Sequence, residues 1–218
     1  MKKIRKMIKE ELLKEVENIN LFKNSLTTLE GKDIPDKIDG WFNCASNKLT
    51  SLEGAPKTVG GHFDCNNNKL TSLEGAPKTV GAFFDCNNNK LTSLEGAPKT
   101  INTYFGCTNN KLTSLEGGPK SVKGRYHCYE NPITSLEGAP EVASNFQCYK
   151  CNLTSLEGAP KTIKKHFVCD NNKLTSLEGA PKSVGGVFSC RFNPGPNGDG
   201  FTEEDVRAVC NVKSKIFV

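Results

Sequence analysis

The sequence predicts a repeat solenoid: short coils stacked around a parallel sheet. Three observations predict it. A nearly constant octapeptide returns every 21 residues along most of the 218-residue chain. Each copy carries a few residues of strict apolar/polar alternation, the mark of a short strand with one buried face. The segments left at either end hold about 25 residues each, enough to cap a stack and too few for a second domain.

Residues 1–25 are expected to form an N-terminal amphipathic capping helix. Ile4, Ile8, Leu12, Val16 and Ile19 follow three- and four-residue spacing over 2–20, with Met7 and Leu13 widening the apolar face. Lys2, Lys3, Arg5, Lys6 and Lys9 read as its solvated side rather than a nucleic-acid contact.

Residues 26–193 carry eight repeats. Leu49-Thr50-Ser51-Leu52-Glu53-Gly54-Ala55-Pro56 recurs from Leu70, Leu91, Leu112, Ile133, Leu153 and Leu174, and a looser copy starts at Leu26. One step, from Ile133 to Leu153, is 20 residues, and the shortening is expected where Glu141-Val142 replaces a Lys-Thr/Ser-Val segment. The octapeptide's Gly, and its Pro with the restricted residue before it, favour an extended or turning path. The other half alternates, as in His62-Phe63-Asp64-Cys65, and is the expected strand. A single copy cannot bury its apolar face, whereas stacked neighbours cover one another.

Phe63-x-Cys65-x-x-Asn68-x-Leu70 resembles the later part of the leucine-rich-repeat consensus, and its short period is similar to that of bacterial and bacteriophage repeat proteins. The resemblance implies a parallel concave β-sheet with an extended, turning convex side. The first Leu place of the consensus is not kept.

Phe42, Phe63, Phe84, Phe105, Tyr126, Phe146, Phe167 and Phe188 form the expected inward ladder. Eight of the ten cysteines share one repeat position, from Cys44 to Cys190, and read as small buried thiols. Asn47, Asn68, Asn89, Asn110, Asn131, Cys151, Asn172 and Asn193 form a turn ladder whose amides satisfy backbone groups. Cys148, Cys151, His166 and Cys169 imitate zinc spacing, but alternation sends His166 outward and Cys169 inward. The recurring Glu and Lys of the convex side read as a solvated face.

The outward strand positions vary while the frame does not. Trp41, His62, Phe83, Tyr104, Arg125 and His166 belong to the column before the Phe ladder. Asp64, Asp85 and His127 belong to the column after it, and Tyr129 and Tyr149 to a third column past the cysteines. Drift would leave small polar residues there. Aromatic residues and Arg are instead the types enriched at interface hot spots, so these eleven residues are the expected partner-binding set.

Residues 194–218 should cap the far end with a loop, helix and strand. Thr202-x-x-Asp205 resembles a capping box, Val206, Val209 and Cys210 supply packing, and Lys213–Val218 alternates as a closing edge strand. The Asn and Asp of the loop lack calcium-ligand spacing.

Composition narrows the function. The excess of 29 Lys+Arg over 24 Asp+Glu, a net +5, is too mild to imply nucleic acid by itself. There is no apolar run near the ~20 residues of a membrane span, and no secretory leader is legible, so a reducing cytoplasm is expected. Stacking spreads the three histidines along the array, and no nucleotide loop or nucleophile elbow occurs, so an enzyme is not expected and no cofactor or metal is assigned. The expected function is a protein-binding module acting through the concave face; the bacteriophage resemblance implies, by analogy, a viral inhibitor of a host defence protein in the bacterial cytoplasm. A nucleic-acid binder using the basic N-terminal helix with Lys123, Arg125, Lys164 and Lys165, and a structural array in a virion or envelope, are the alternatives. Exposed coil ends also leave open a homo-oligomer joined through its caps.

Overall fold

The computed structural model describes residues 17–218, and within them the chain is a parallel β-solenoid. One ten-stranded sheet runs its whole length, taking one strand per coil in chain order: Ile19–Asn20, Phe42–Asn43, Phe63–Asp64, Phe84–Asp85, Tyr104–Gly106, Arg125–His127, Asn145–Gln147, Phe167–Val168, Phe188–Ser189 and Ile216–Phe217. Every pairing is parallel, and residue pairs such as Phe42↔Phe63 and Phe63↔Phe84 lie in register. On the opposite side, two-residue strands form three small parallel sheets, as in Lys37–Ile38, Thr58–Val59 and Thr79–Val80.

The core lies between these layers. The eight-membered aromatic ladder is fully buried, and its successive rings sit 5.2–5.8 Å apart. Each buried ring is worth roughly 1.5–3 kcal/mol against exposure, so the spine repeats the same stabilisation coil after coil. All ten cysteines are buried free thiols. Several donate to the next strand's carbonyl, as Cys86 Sγ does to Gly106 O at 3.1 Å and Cys65 Sγ to Asp85 O at 3.3 Å. This gives the position a use for S–H beyond its small size.

The asparagine ladder ties each coil to the one before. Asn68 Nδ2 donates to Cys65 O in its own coil (3.1 Å) and to Cys44 O in the previous one (3.0 Å), while its Oδ1 accepts from Leu49 N (3.0 Å). Cys151 keeps only long Sγ contacts, 3.7 Å to Cys128 O and 3.6 Å to Tyr149 O.

The ends and the short coil differ from expectation. The expected helix falls on residues outside those described except at its end, where Ile19–Asn20 is a strand paired with Phe42–Asn43. Ile19-x-Leu21-x-x-Asn24-x-Leu26 repeats the Phe-x-Cys-x-x-Asn-x-Leu pattern, and backbone pairing outweighs the helical spacing there. In the 20-residue coil, Val142 bridges Ser121 and Ala143 bridges Ile163. Glu141-Val142-Ala143 therefore align without a gap, and the missing residue lies after them. Ser144 alone spans what Lys123-Gly124 and Lys164-Lys165 span in the neighbouring coils. At the far end, helix Glu203–Val209 begins at a complete Thr202/Asp205 capping box, and Val206 and Cys210 are buried. Val209 is 45% exposed and lines a groove with Leu177 of the last repeat, while the helix turns Val206 fully inward. Ile216–Phe217 closes the sheet as expected.

Candidate functional site

The face of the ten-stranded sheet turned away from the core collects most of the variable residues. The strand register aligns Arg125 with Tyr104 and His127 with Gly106, and Asp64 with Asp85. On this lattice seven rings make one continuous stripe across six coils. Trp41 stacks on His62 (centroids 5.6 Å, planes 2° apart), and His62 stacks on Phe83 (4.4 Å, 7°). Phe83 meets Tyr104 edge-on at 6.3 Å, and Tyr104 meets His127 edge-on at 5.2 Å. His127 then contacts Tyr129 at 5.8 Å, and Tyr129 stacks on Tyr149 at 4.1 Å.

The stripe therefore runs diagonally, starting in the column before the Phe ladder and ending in the column beyond the cysteines. Gly106 makes the crossing possible. A β-carbon at 106 would overlap the Tyr104 phenol oxygen, so the missing side chain lets the Tyr104 ring lie across its own strand toward His127. Asn87 fixes that pose: its Nδ2 donates to Tyr104 Oη at 2.9 Å, and its Oδ1 accepts from Thr108 N at 2.7 Å. Neither Gly106 nor Asn87 was singled out from sequence. The available signal was a lone glycine in a column where the neighbours carry side chains.

Beside the stripe, Asp64 and Asp85 stand on adjacent strands. Asp64 Oδ1 accepts from Asn66 N (3.1 Å) and Nδ2 (2.7 Å), and Asp85 Oδ1 accepts from Asn87 N (2.9 Å). Burial pushes both carboxyls up against these favourable bonds; Asp85, which also feels the Asp64 charge, rises to about 6. Burial, and secondarily the Arg125 cation, push His127 down to about 4. His127 is thus neutral at physiological pH, while Asp85 beside the stripe is ionised.

Two expected residues stand apart from the stripe. Arg125 is exposed at the edge of the first column. His166 is also exposed, and its Nδ1 accepts from Val187 N at 3.1 Å. It faces away from Cys169, which is fully buried. The third column is less open than its alternation suggested: Ala45, Thr108 and Asp170 are buried. Asp170 is held by Ser189 Oγ (2.6 Å), Arg191 N (2.9 Å) and the Arg191 guanidinium (3.1 Å), a network that braces the last coils.

No family model matches the chain, and no curated protein matches it. The class defined by the fold is a parallel β-solenoid of about eight short repeats with little helix among the described residues. No helix among those residues is long and apolar enough to cross a membrane.

Proposed function

We propose that this chain is a non-enzymatic binding module that recognises a protein partner through the open face of its ten-stranded sheet. The observation that carries the reading is the unbroken seven-ring stripe. The frame beneath it hardly varies, yet the residues above it are rings in mutual contact, flanked by polar groups held in fixed poses. Rings already packed against one another lose little side-chain freedom on binding, the property that favours aromatic anchors at interfaces. We read the coils as leucine-rich-repeat-like, on the Phe-x-Cys-x-x-Asn-x-Leu pattern. By analogy with bacteriophage repeat proteins, the partner is a host protein that this chain inhibits in the bacterial cytoplasm. Ten reduced, buried thiols suit that compartment.

The test is capture from bacterial lysate by the immobilised chain, compared with Phe83→Ala/Tyr104→Ala at matched stability. Saturable capture of one protein that drops by about tenfold or more in the variant supports the reading, since hot-spot truncation costs about 2 kcal/mol or more. Capture that the double variant leaves unchanged refutes it.

A further inference from the structure

We infer that the 20-residue coil opens an anion-binding notch at the rim of the sheet, and that the notch receives a short acidic segment of the partner. This rests on the partner being a protein, as proposed above. The notch follows from the missing residue. Ser144 N and Asn145 N both donate to Gly124 O, at 2.8 and 3.2 Å, and Lys165 N donates to Ser144 O at 2.8 Å. The shortened loop therefore stays bonded to both neighbours, and Lys123, Gly124 and Lys165 of those neighbours line the space beside it. On its other side Gly124 lies close against the preceding coil, where a β-carbon would overlap the Thr103 carbonyl oxygen. Ser144 lines a groove of about 470 Å³ that runs from Asn102 and Thr103 to Lys165 and His166.

Its walls are cationic. Lys123 and Arg125 line it on one side of Ser144, with Asn102 and Thr103 beyond them, and Lys165 and His166 on the other; no carboxylate among the described residues lines the groove. Among the described residues the side chains of Lys123, Arg125 and Lys165 make no ion pair, unlike Lys57 with Asp36, Lys150 with Glu130 and Arg191 with Asp170. His166 accepts at Nδ1 from Val187 N, so the neutral ring carries its N–H at Nε2. Unpaired cations around a small polar floor suit oxyanions, with Arg125 able to grip a carboxylate through two N–H groups.

The geometry sets the size of the ligand. Arg125 and His166 are two strands apart, roughly 10 Å at sheet spacing. Carboxylates on residues i and i+2 of an extended peptide are about 7 Å apart and fit between the walls. A polynucleotide would need cations along a longer track. Here they cluster on two coils, and Asp64 and Asp85 interrupt the same sheet face.

Titration of the isotope-labelled full chain with hexaglutamate, at about 50 mM salt to limit screening, tests the site. Amide shifts should concentrate at Gly124, Ser144 and Lys165. Arg125→Ser with Lys165→Ser should weaken binding by about tenfold or more. Inserting one Gly between Ser144 and Asn145 restores the 21-residue length and keeps every cation, so it should cause a similar loss. Retention of binding within about twofold by the insertion variant overturns the site, since charge alone would then be responsible. Shifts centred elsewhere also overturn it, as does tighter binding of a hexathymidylate strand than of hexaglutamate. Phe83→Ala/Tyr104→Ala should leave hexaglutamate affinity unchanged, which separates failure of the stripe from failure of the notch.

Discussion

Replacing Asp85 with Asn isolates the electrostatic cost of placing a carboxylate beside the aromatic stripe. Burial raises Asp85 from its ordinary value of 3.8 to about 6. The folded state therefore binds the proton more tightly than the unfolded chain. Above about pH 6 both states are ionised and the full cost of the buried charge is present; below about pH 3.8 both are protonated and the cost is gone. Stability contributed by this group thus falls as pH rises through the window from 3.8 to 6. The shift corresponds to about 3 kcal/mol at 1.36 kcal/mol per unit. His127 works against it: its folded value lies near 4, below the ordinary 6.5, so acidification through 6.5 to 4 removes stability. A plain pH profile of the parent mixes the two, and the comparison with Asp85→Asn separates them. Asn can still accept the Asn87 N–H but never ionises. Urea unfolding at pH 7.5 should find Asp85→Asn more stable than the parent by up to about 3 kcal/mol, with the difference vanishing near pH 4. Relief of Asp64, whose charge raises Asp85, is included in that figure. A difference that does not change with pH, or that grows on acidification, refutes the reasoning.

Gly106→Ala should leave the fold intact, because the new β-carbon meets the movable end of Tyr104; it should break the Tyr104–His127 contact and weaken partner capture about as much as Tyr104→Ala, a loss on the order of tenfold. Cys151→Asn should stabilise the chain by roughly 1 kcal/mol in urea unfolding by restoring the amide ladder, which supplies four bonds at Asn131 where the thiol makes long contacts. Tyr126 is the one tyrosine in its ladder, and its hydroxyl is buried with no nitrogen or oxygen partner, only the weakly bonding Cys107 thiol beside it. Tyr126→Phe should therefore stabilise by about 1 kcal/mol, measured by the same unfolding midpoints.

The sequence alone determined the coil period, the inward ladders, the capping box and the closing strand, because each rests on local alternation or spacing repeated in register. Phe63 and Cys65 must turn inward together wherever a period-two strand forms, and Asn68 must follow at a fixed offset. The eleven candidate residues were also legible, as variation in an otherwise constant frame. Only the tertiary structure decided which of them touch. The diagonal path of the stripe depends on the void at Gly106, two residues along Tyr104's own strand, and on the bond to Tyr104 from Asn87 in the preceding coil, 17 residues away. The place of the missing residue likewise depended on pairing: Ala143 faces Ile163, which moved the gap onto Ser144 and opened the notch. Ile19 shows the same ordering of forces, since its helical spacing yielded to the backbone partners offered by Phe42–Asn43. A repeat fixes what each residue does within its own coil, while contacts between coils depend on the neighbouring chain segment, which no single copy contains.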